Sequence, residues 1–197
     1  MENPLKGFEP LSWTKELIIT FAIAAFFYYG VLTTLLGTSS PFVTVTSCSM
    51  KGHFNIGDLA VIQGTRVENI NAPVLDIAPG DKVSLEMDGL QVVGISYQNK
   101  TINFTKTGDI IVYNTPLRPG EPIIHRVVVK LRSGGSYSLL TKGDANPTID
   151  QDCRSPDVCV SMPVTQDMIV GKVLFHIPLI GHPKLLLTLS YQYGFWC

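Results

Sequence analysis

The chain has 197 residues, of which 16% are charged and 45% hydrophobic, and its formal net charge is −1. That length suits one domain of ordinary size plus an anchor. The near-neutral charge argues against a phosphate-backbone partner, so no nucleic acid is expected.

Residues 1–16 read as a cytoplasmic tail, and residues 17–37 as a transmembrane anchor. Leu17–Leu36, "LIITFAIAAFFYYGVLTTLL", carries no charge. As a helix it spans roughly 30 Å, about one hydrocarbon core. It is long for a signal-peptide core and lacks a clear small-x-small exit, so a retained anchor is expected. Lys6 and Lys15 precede it, whereas Lys51 is the single Lys or Arg in the next 20 residues. This asymmetry leans towards a cytoplasmic N-terminus and an external body.

Residues 38–183 read as a β-rich extracytoplasmic domain. "PFVTVTS", "DLAVIQG", "DKVSLEM", "LQVVGISY", "DIIVYNT", "IIHRVVVKL", "YSLLTKG" and "IVGKVLFHI" are short and rich in Val and Ile. Gly, Pro, Asn and Asp clusters separate them. Residues 66–107 read as an inserted lobe. They hold two N-glycosylation triplets, Asn99-Lys100-Thr101 and Asn103-Phe104-Thr105. Cys153 and Cys159 flank "CRSPDVC", where a disulfide suits an oxidising exterior and two free thiols are the alternative. No second Cys or His pair stands at zinc-ligand spacing, so no metal or other cofactor is expected. Cys48 and Cys197 find no partner by sequence argument. Residues 184–197 read as an apolar membrane-proximal tail, either interfacial or the start of a second anchor. The run "LLLTLSYQYGFWC" is too short to cross a bilayer as a helix.

Peptide hydrolysis needs a nucleophile, a base and donors for the developing oxyanion. Candidates are Ser47 and Ser49 in "TSCSM", His125 in "IIHRVVV", and Asp144 and Asp150 in "LTKGDANPTIDQD". A Ser…His…Asp order is compatible with a triad, which is recognised by geometry. Taken singly, each has a plainer reading: His125 as a core histidine, "GDANP" as a turn.

The combination resembles the type I signal peptidases, specifically the archaeal and ER-type branch. That pattern is an anchor, S-G-S-M with a following G-D, then G-D/E-I-V-V-F, H-R-V, T-K-G-D-N-N-x-x-x-D and a final G-K/R-V…P-x-x-G. Here stand "SCSM" with Gly57-Asp58, "GDIIVY" from Gly108, "IIHRVVV", "LTKGDANPTID" and "GKVLFHIPLIG" ending at Gly181. They run in order over about 140 residues. The bacterial branch uses a lysine base where this branch has histidine.

The resemblance implies a mainly β fold, a signal-peptidase-like partly closed barrel or sandwich behind the N-terminal transmembrane helix. It implies Ser49 as nucleophile, His125 as general base and then acid, and Asp150 as the aspartate that orients the imidazole. Asp144 supports the site, by structure or by charge, and Ser47 and the Ser49 N–H serve the oxyanion. Cys48 replaces the pattern's Gly; a positive φ there would strain the turn. Lys51 as a rival base is rejected, because adjacent residues on an extended strand point apart. The implied substrates are secretory preproteins, cut after small residues as extended strands. The implied surroundings are the lipid bilayer and membrane-complex subunits, in the cell membrane or, in a eukaryote, the ER membrane. The competing readings are a non-catalytic membrane-tethered β-domain of a secretion or surface complex, and a self-cleaving repressor-like protease. The latter expects a lysine base and a DNA-binding head.

Overall fold

The computed structural model describes residues 10–154 and 159–182. The expected 184–197 tail, and residues 1–9 of the cytoplasmic tail, lie outside the described residues.

Among the described residues the N-terminal helix runs from Pro10, a residue that a first helical turn tolerates. It runs as α1 (Pro10–Ala25), widens into π turns over Phe26–Leu32, and ends as α2 (Thr33–Leu36). The widening is visible where the Thr33 N–H reaches back five residues to the Tyr28 carbonyl. Gly37 closes the helix in the left-handed conformation, φ 61°. The 24 residues Trp13–Leu36 are long and apolar enough to cross a membrane, and none of the apolar window is buried in protein. An apolar helix that buries none of its window among the described residues is matched to lipid.

Ten strands follow: β1 (Phe42–Thr44), β2 (Leu59–Gln63), β3 (Val74–Asp76), β4 (Ser84–Asp88), β5 (Gln91–Tyr97), β6 (Lys100–Asn103), β7 (Ile110–Tyr113), β8 (Ile123–Ser133), β9 (Ser136–Lys142) and β10 (Ile169–Ile177). Seven form a curled half-barrel in the order β1-β2-β10-β7-β8-β3, with β9 also paired to β8. Only the β3–β8 pair is parallel among these. β4, β5 and β6 form a separate antiparallel sheet, and Asn99 is exposed in its β5–β6 turn. The expected mainly β fold is the one observed. All eight expected segments carry strands. β3 and β6 had not been expected: one is three residues long, the other is polar.

β8 organises the core. Its residues are buried continuously from Ile124 to Leu131, as a strand covered on both faces requires. Ile124 packs with Val45, Met50, Phe54, Ile62 and Val112. Val127 joins Ile111, Tyr113 and Leu139, and Val128, Val129 and Leu131 join Leu75, Ile95 and Ile149. Such a strand has no water for its polar side chains, so His125 and Arg126 must find partners inside the protein.

Candidate active site

The Ser47–Met50 segment leaves β1 and turns at once. Lys51 donates its N–H to the Cys48 carbonyl, and His53 and Phe54 donate theirs to the Met50 carbonyl. Met50 and Phe54 are buried in the first core cluster. These two anchors fix the turn and leave small residues on its outer side. Ser47 is exposed and Ser49 half-buried, and their hydroxyl oxygens lie 3.1 Å apart. The Ser49 carbonyl accepts the Ala145 N–H at 2.9 Å. A Cβ on Gly143 would come within 2.7 Å of that carbonyl, so glycine is needed for the close approach. The Ser49 N–H donates no hydrogen bond among the described residues.

The imidazole comes from the next layer. β7 and β9 flank β8, which sets Tyr113 opposite Ile123 and Thr141 opposite Val127. Asp150 enters after β9, its N–H on the Thr141 carbonyl and its carbonyl accepting the Val160 and Ser161 N–H groups. His125 Nδ1 and Asp150 Oδ2 stand 2.7 Å apart, both residues buried. Tyr113 donates its hydroxyl to the same oxygen at 2.8 Å and Thr141 donates its own at 2.6 Å. Burial, then the Asp150 charge, push the Tyr113 hydroxyl well above its usual range, so it stays protonated.

Asp144 sits elsewhere. Arg126 grips it with two parallel bonds, Nε to Oδ1 at 2.8 Å and Nη2 to Oδ2 at 2.7 Å, and sends Nη1 to the Gly108 carbonyl at 2.9 Å. Burial pushes the Asp144 carboxyl up, but the Arg126 bonds and charge, with Lys106 and His53, leave it below its ordinary value. Burial lowers Lys142, which follows Thr141.

Of the residues singled out from sequence, His125 and Asp150 form a pair, and Ser47 and Ser49 form a second. Asp144 faces Arg126. Ser49 and His125 share no hydrogen bond among the described residues; the two pairs are linked through β8, the Arg126–Asp144 ion pair and the Ala145 contact to Ser49. Arg126, Tyr113 and Thr141 had not been singled out. The signals were there: Arg126 follows His125, Thr141 opens "TKGD", and Tyr113 stands where the pattern has Phe. Cys48 is not at positive φ, so the feared strain is absent, and it is disulfide-bonded. Cys153 and Cys159 are joined as a disulfide. The Gly57-Asp58 and Gly181 boxes form a clasp: the Gly181 N–H meets the Gly57 carbonyl at 2.8 Å, and the buried Asp58 accepts the Asn55 and Leu179 N–H groups.

A membrane helix leading into a curled half-barrel, which carries a serine turn and a buried His–Asp pair, defines a signal-peptidase-like domain. The chain is 28% identical over 174 residues to the signal peptidase complex catalytic subunit SEC11 of Colletotrichum graminicola, covering 87% of this chain and 79% of that protein. The same-named subunit of Metarhizium robertsii is 28% identical over 190 residues, covering 95% and 85%. That of Sclerotinia sclerotiorum is 27% identical over 176 residues, covering 87% and 79%. No protein-family model matches the chain. The chain is thus homologous to signal peptidase catalytic subunits and fits the archaeal and ER-type branch of that family.

Proposed function

We propose that the chain is a membrane-anchored serine endopeptidase that removes N-terminal signal peptides from secretory preproteins. The observation that supports this reading best is the buried Asp150–His125 pair, alongside the Ser47–Ser49 hydroxyl pair on the turn that Ala145 joins. Asp150 holds the Nδ1–H of His125, which leaves Nε2 free to act as a base. His125 takes the proton of Ser49 as Oγ attacks the scissile carbonyl, and then gives it to the leaving amine. Water, deprotonated by the same imidazole, releases the acyl group. The Ser47 hydroxyl and the Ser49 N–H stabilise the oxyanion. A Ser49–His125 hydrogen bond forms when substrate arrives, since catalytic hydrogen bonds are often loose without it. Asp144 acts through Arg126, holding the turn that abuts Ser49.

The substrate enters as an extended strand. β1 lies at the edge of the main sheet, paired to β2 alone among the described strands, and leads directly to the serine turn. Strand addition there delivers main-chain hydrogen bonds, and shallow pockets admit only small residues before the cut. The 17–37 anchor holds the 38–183 domain on the extracytoplasmic face, in the ER membrane or the cell membrane, where the leader's own apolar segment lies in lipid. The relatives' names place them in a signal peptidase complex, and membrane subunits of that kind are the expected partners.

Cleavage of a preprotein by the purified full-length chain tests the reading. Ser49→Ala and His125→Ala each lower the rate on the order of 10⁴-fold with the fold intact. An active Ser49→Ala variant removes the nucleophile. A chain that never labels with a serine-acylating inhibitor is the non-catalytic tethered domain instead.

A further inference from the structure

Three donors converge on one oxygen of Asp150. His125 Nδ1 stands 2.7 Å from Oδ2, the Tyr113 hydroxyl 2.8 Å and the Thr141 hydroxyl 2.6 Å. The other oxygen, Oδ1, is buried and has no hydrogen-bond partner among the described residues. Among the described residues, nothing at Oδ1 compensates for a bond lost at Oδ2.

The protons can be assigned. A hydroxyl has one proton, so the 3.2 Å approach of Thr141 Oγ1 to the Tyr113 oxygen competes with the bonds to Asp150. Gln151 Nε2 donates to Thr141 Oγ1 at 3.1 Å and occupies an acceptor site there. Thr141 then spends its proton on the shorter contact, to Asp150. Tyr113 does the same, and its ring is fully buried in the third core cluster. Phenylalanine, which the family pattern carries here, would pack as well. What the hydroxyl adds is this bond, with the longer approach of Thr141 and a contact to Ser161 beside it, and burying it unbonded would be costly.

We propose that Tyr113 is a positioning residue of the protease site, which aims Asp150 at His125 and sets the pH at which the imidazole can accept a proton. This inference rests on the function proposed above. A donor binds a carboxylate most strongly when that carboxylate is not already neutralised by an imidazolium. The Tyr113 bond therefore favours neutral His125, the form that acts as base. Other charged and titratable groups surround the pair. Arg126 neighbours His125 on β8 and is neutralised by Asp144. Lys142 on β9 acts on Asp150 through its charge. Gln151 and Ser161, from the segment after Asp150, are uncharged. None of these changes charge when the Tyr113 hydroxyl is deleted.

The test compares full-length wild type with Tyr113→Phe in two arms. The first follows the His125 ring by NMR through the imidazole titration range, which needs no activity. The midpoint rises by about half a pH unit in Tyr113→Phe, a roughly threefold change in the neutral fraction on the acid side. The second arm is the pH profile of preprotein cleavage, whose acid limb shifts by the same amount while the plateau changes less. Thr141→Ser, which keeps a hydroxyl, leaves the midpoint in place. An unmoved midpoint in Tyr113→Phe overturns the proposal, and so does a pH-independent loss of rate that merely follows the folded fraction. A moved midpoint in a chain that cleaves no preprotein supports the positioning role and sinks the protease reading instead.

Discussion

His125 and Arg126 are adjacent on β8 and project to opposite faces of one strand. Both are buried cations or potential cations, and both are met by an aspartate from the segment after β9. The two faces nevertheless differ in kind. Arg126 is always charged and takes Asp144 in a two-bond fork, an arrangement with one protonation state and one geometry. His125 takes Asp150 through a single ring nitrogen, and two hydroxyls share the carboxylate. One face is a two-bond ion pair; the other is a single ring-nitrogen contact to a carboxylate that two hydroxyls share. One strand thus supplies a rigid clamp beside the His125–Asp150 pair, and the clamp holds the turn that abuts the proposed nucleophile.

Breaking each face separately sharpens that contrast. Asp150→Asn should have the largest effect on turnover, on the order of 10⁴-fold in kcat, because the amide no longer fixes the tautomer. Its thermal unfolding should stay near that of wild type, and normal turnover would show that the carboxylate does not orient the base. Asp144→Asn should act on the other quantity. It leaves Arg126 buried without its carboxylate, at about 3–5 kcal/mol of folding stability, read by urea or thermal unfolding. Cleavage by the folded fraction should fall far less than in Asp150→Asn; equal losses would erase the distinction between the faces.

Replacing Cys153 and Cys159 with serine should cost about 2 kcal/mol, since the loop they close is short. Residues just past this loop, Val160 and Ser161, hold the Asp150 carbonyl, so turnover should drop several-fold as Asp150 loosens. An unchanged turnover would show that the clasp on Asp150 stands without the disulfide. The smallest effect is on acid stability. Asp152, bonded by Arg154 against the opposing effect of burial and also by Thr148, is held down at about 2. Asp144 is lowered too. Groups depressed in the folded state stabilise it above the unfolded carboxylate range, and that contribution is lost as pH falls through their folded values. Urea midpoints should therefore decline below about pH 4 and go on declining towards pH 2. Asp144→Asn should flatten the part of this decline that Asp144 contributes, and an identical slope would contradict the shift.

Much of this was legible in the residues. The anchor is an uninterrupted apolar run, and eight strands are Val- and Ile-rich runs between turn formers. The pairing of His125 with Asp150 follows the resemblance, although a separation of 25 positions gives no local hint of it. β3 is not legible because three residues carry no period, and its existence depends on lying alongside Lys130–Arg132 of β8. Arg126 read as the tail of a motif until burial required a partner for it. Tyr113 and Thr141 were invisible as site residues because nothing local marks a hydroxyl as aimed at a carboxylate 37 or 9 positions away.

The amino-acid order alone determined where the chain is apolar enough for lipid, where it is extended, and where small hydroxyls follow the anchor, because those properties arise from neighbours within a few residues. Only the tertiary structure decided that Tyr113, His125 and Thr141 share one oxygen of Asp150 while Asp144 goes to Arg126. That division depends on the register of β7, β8 and β9, and register is fixed by burying β8 on both faces at once, a property of the packed sheet and of no single strand.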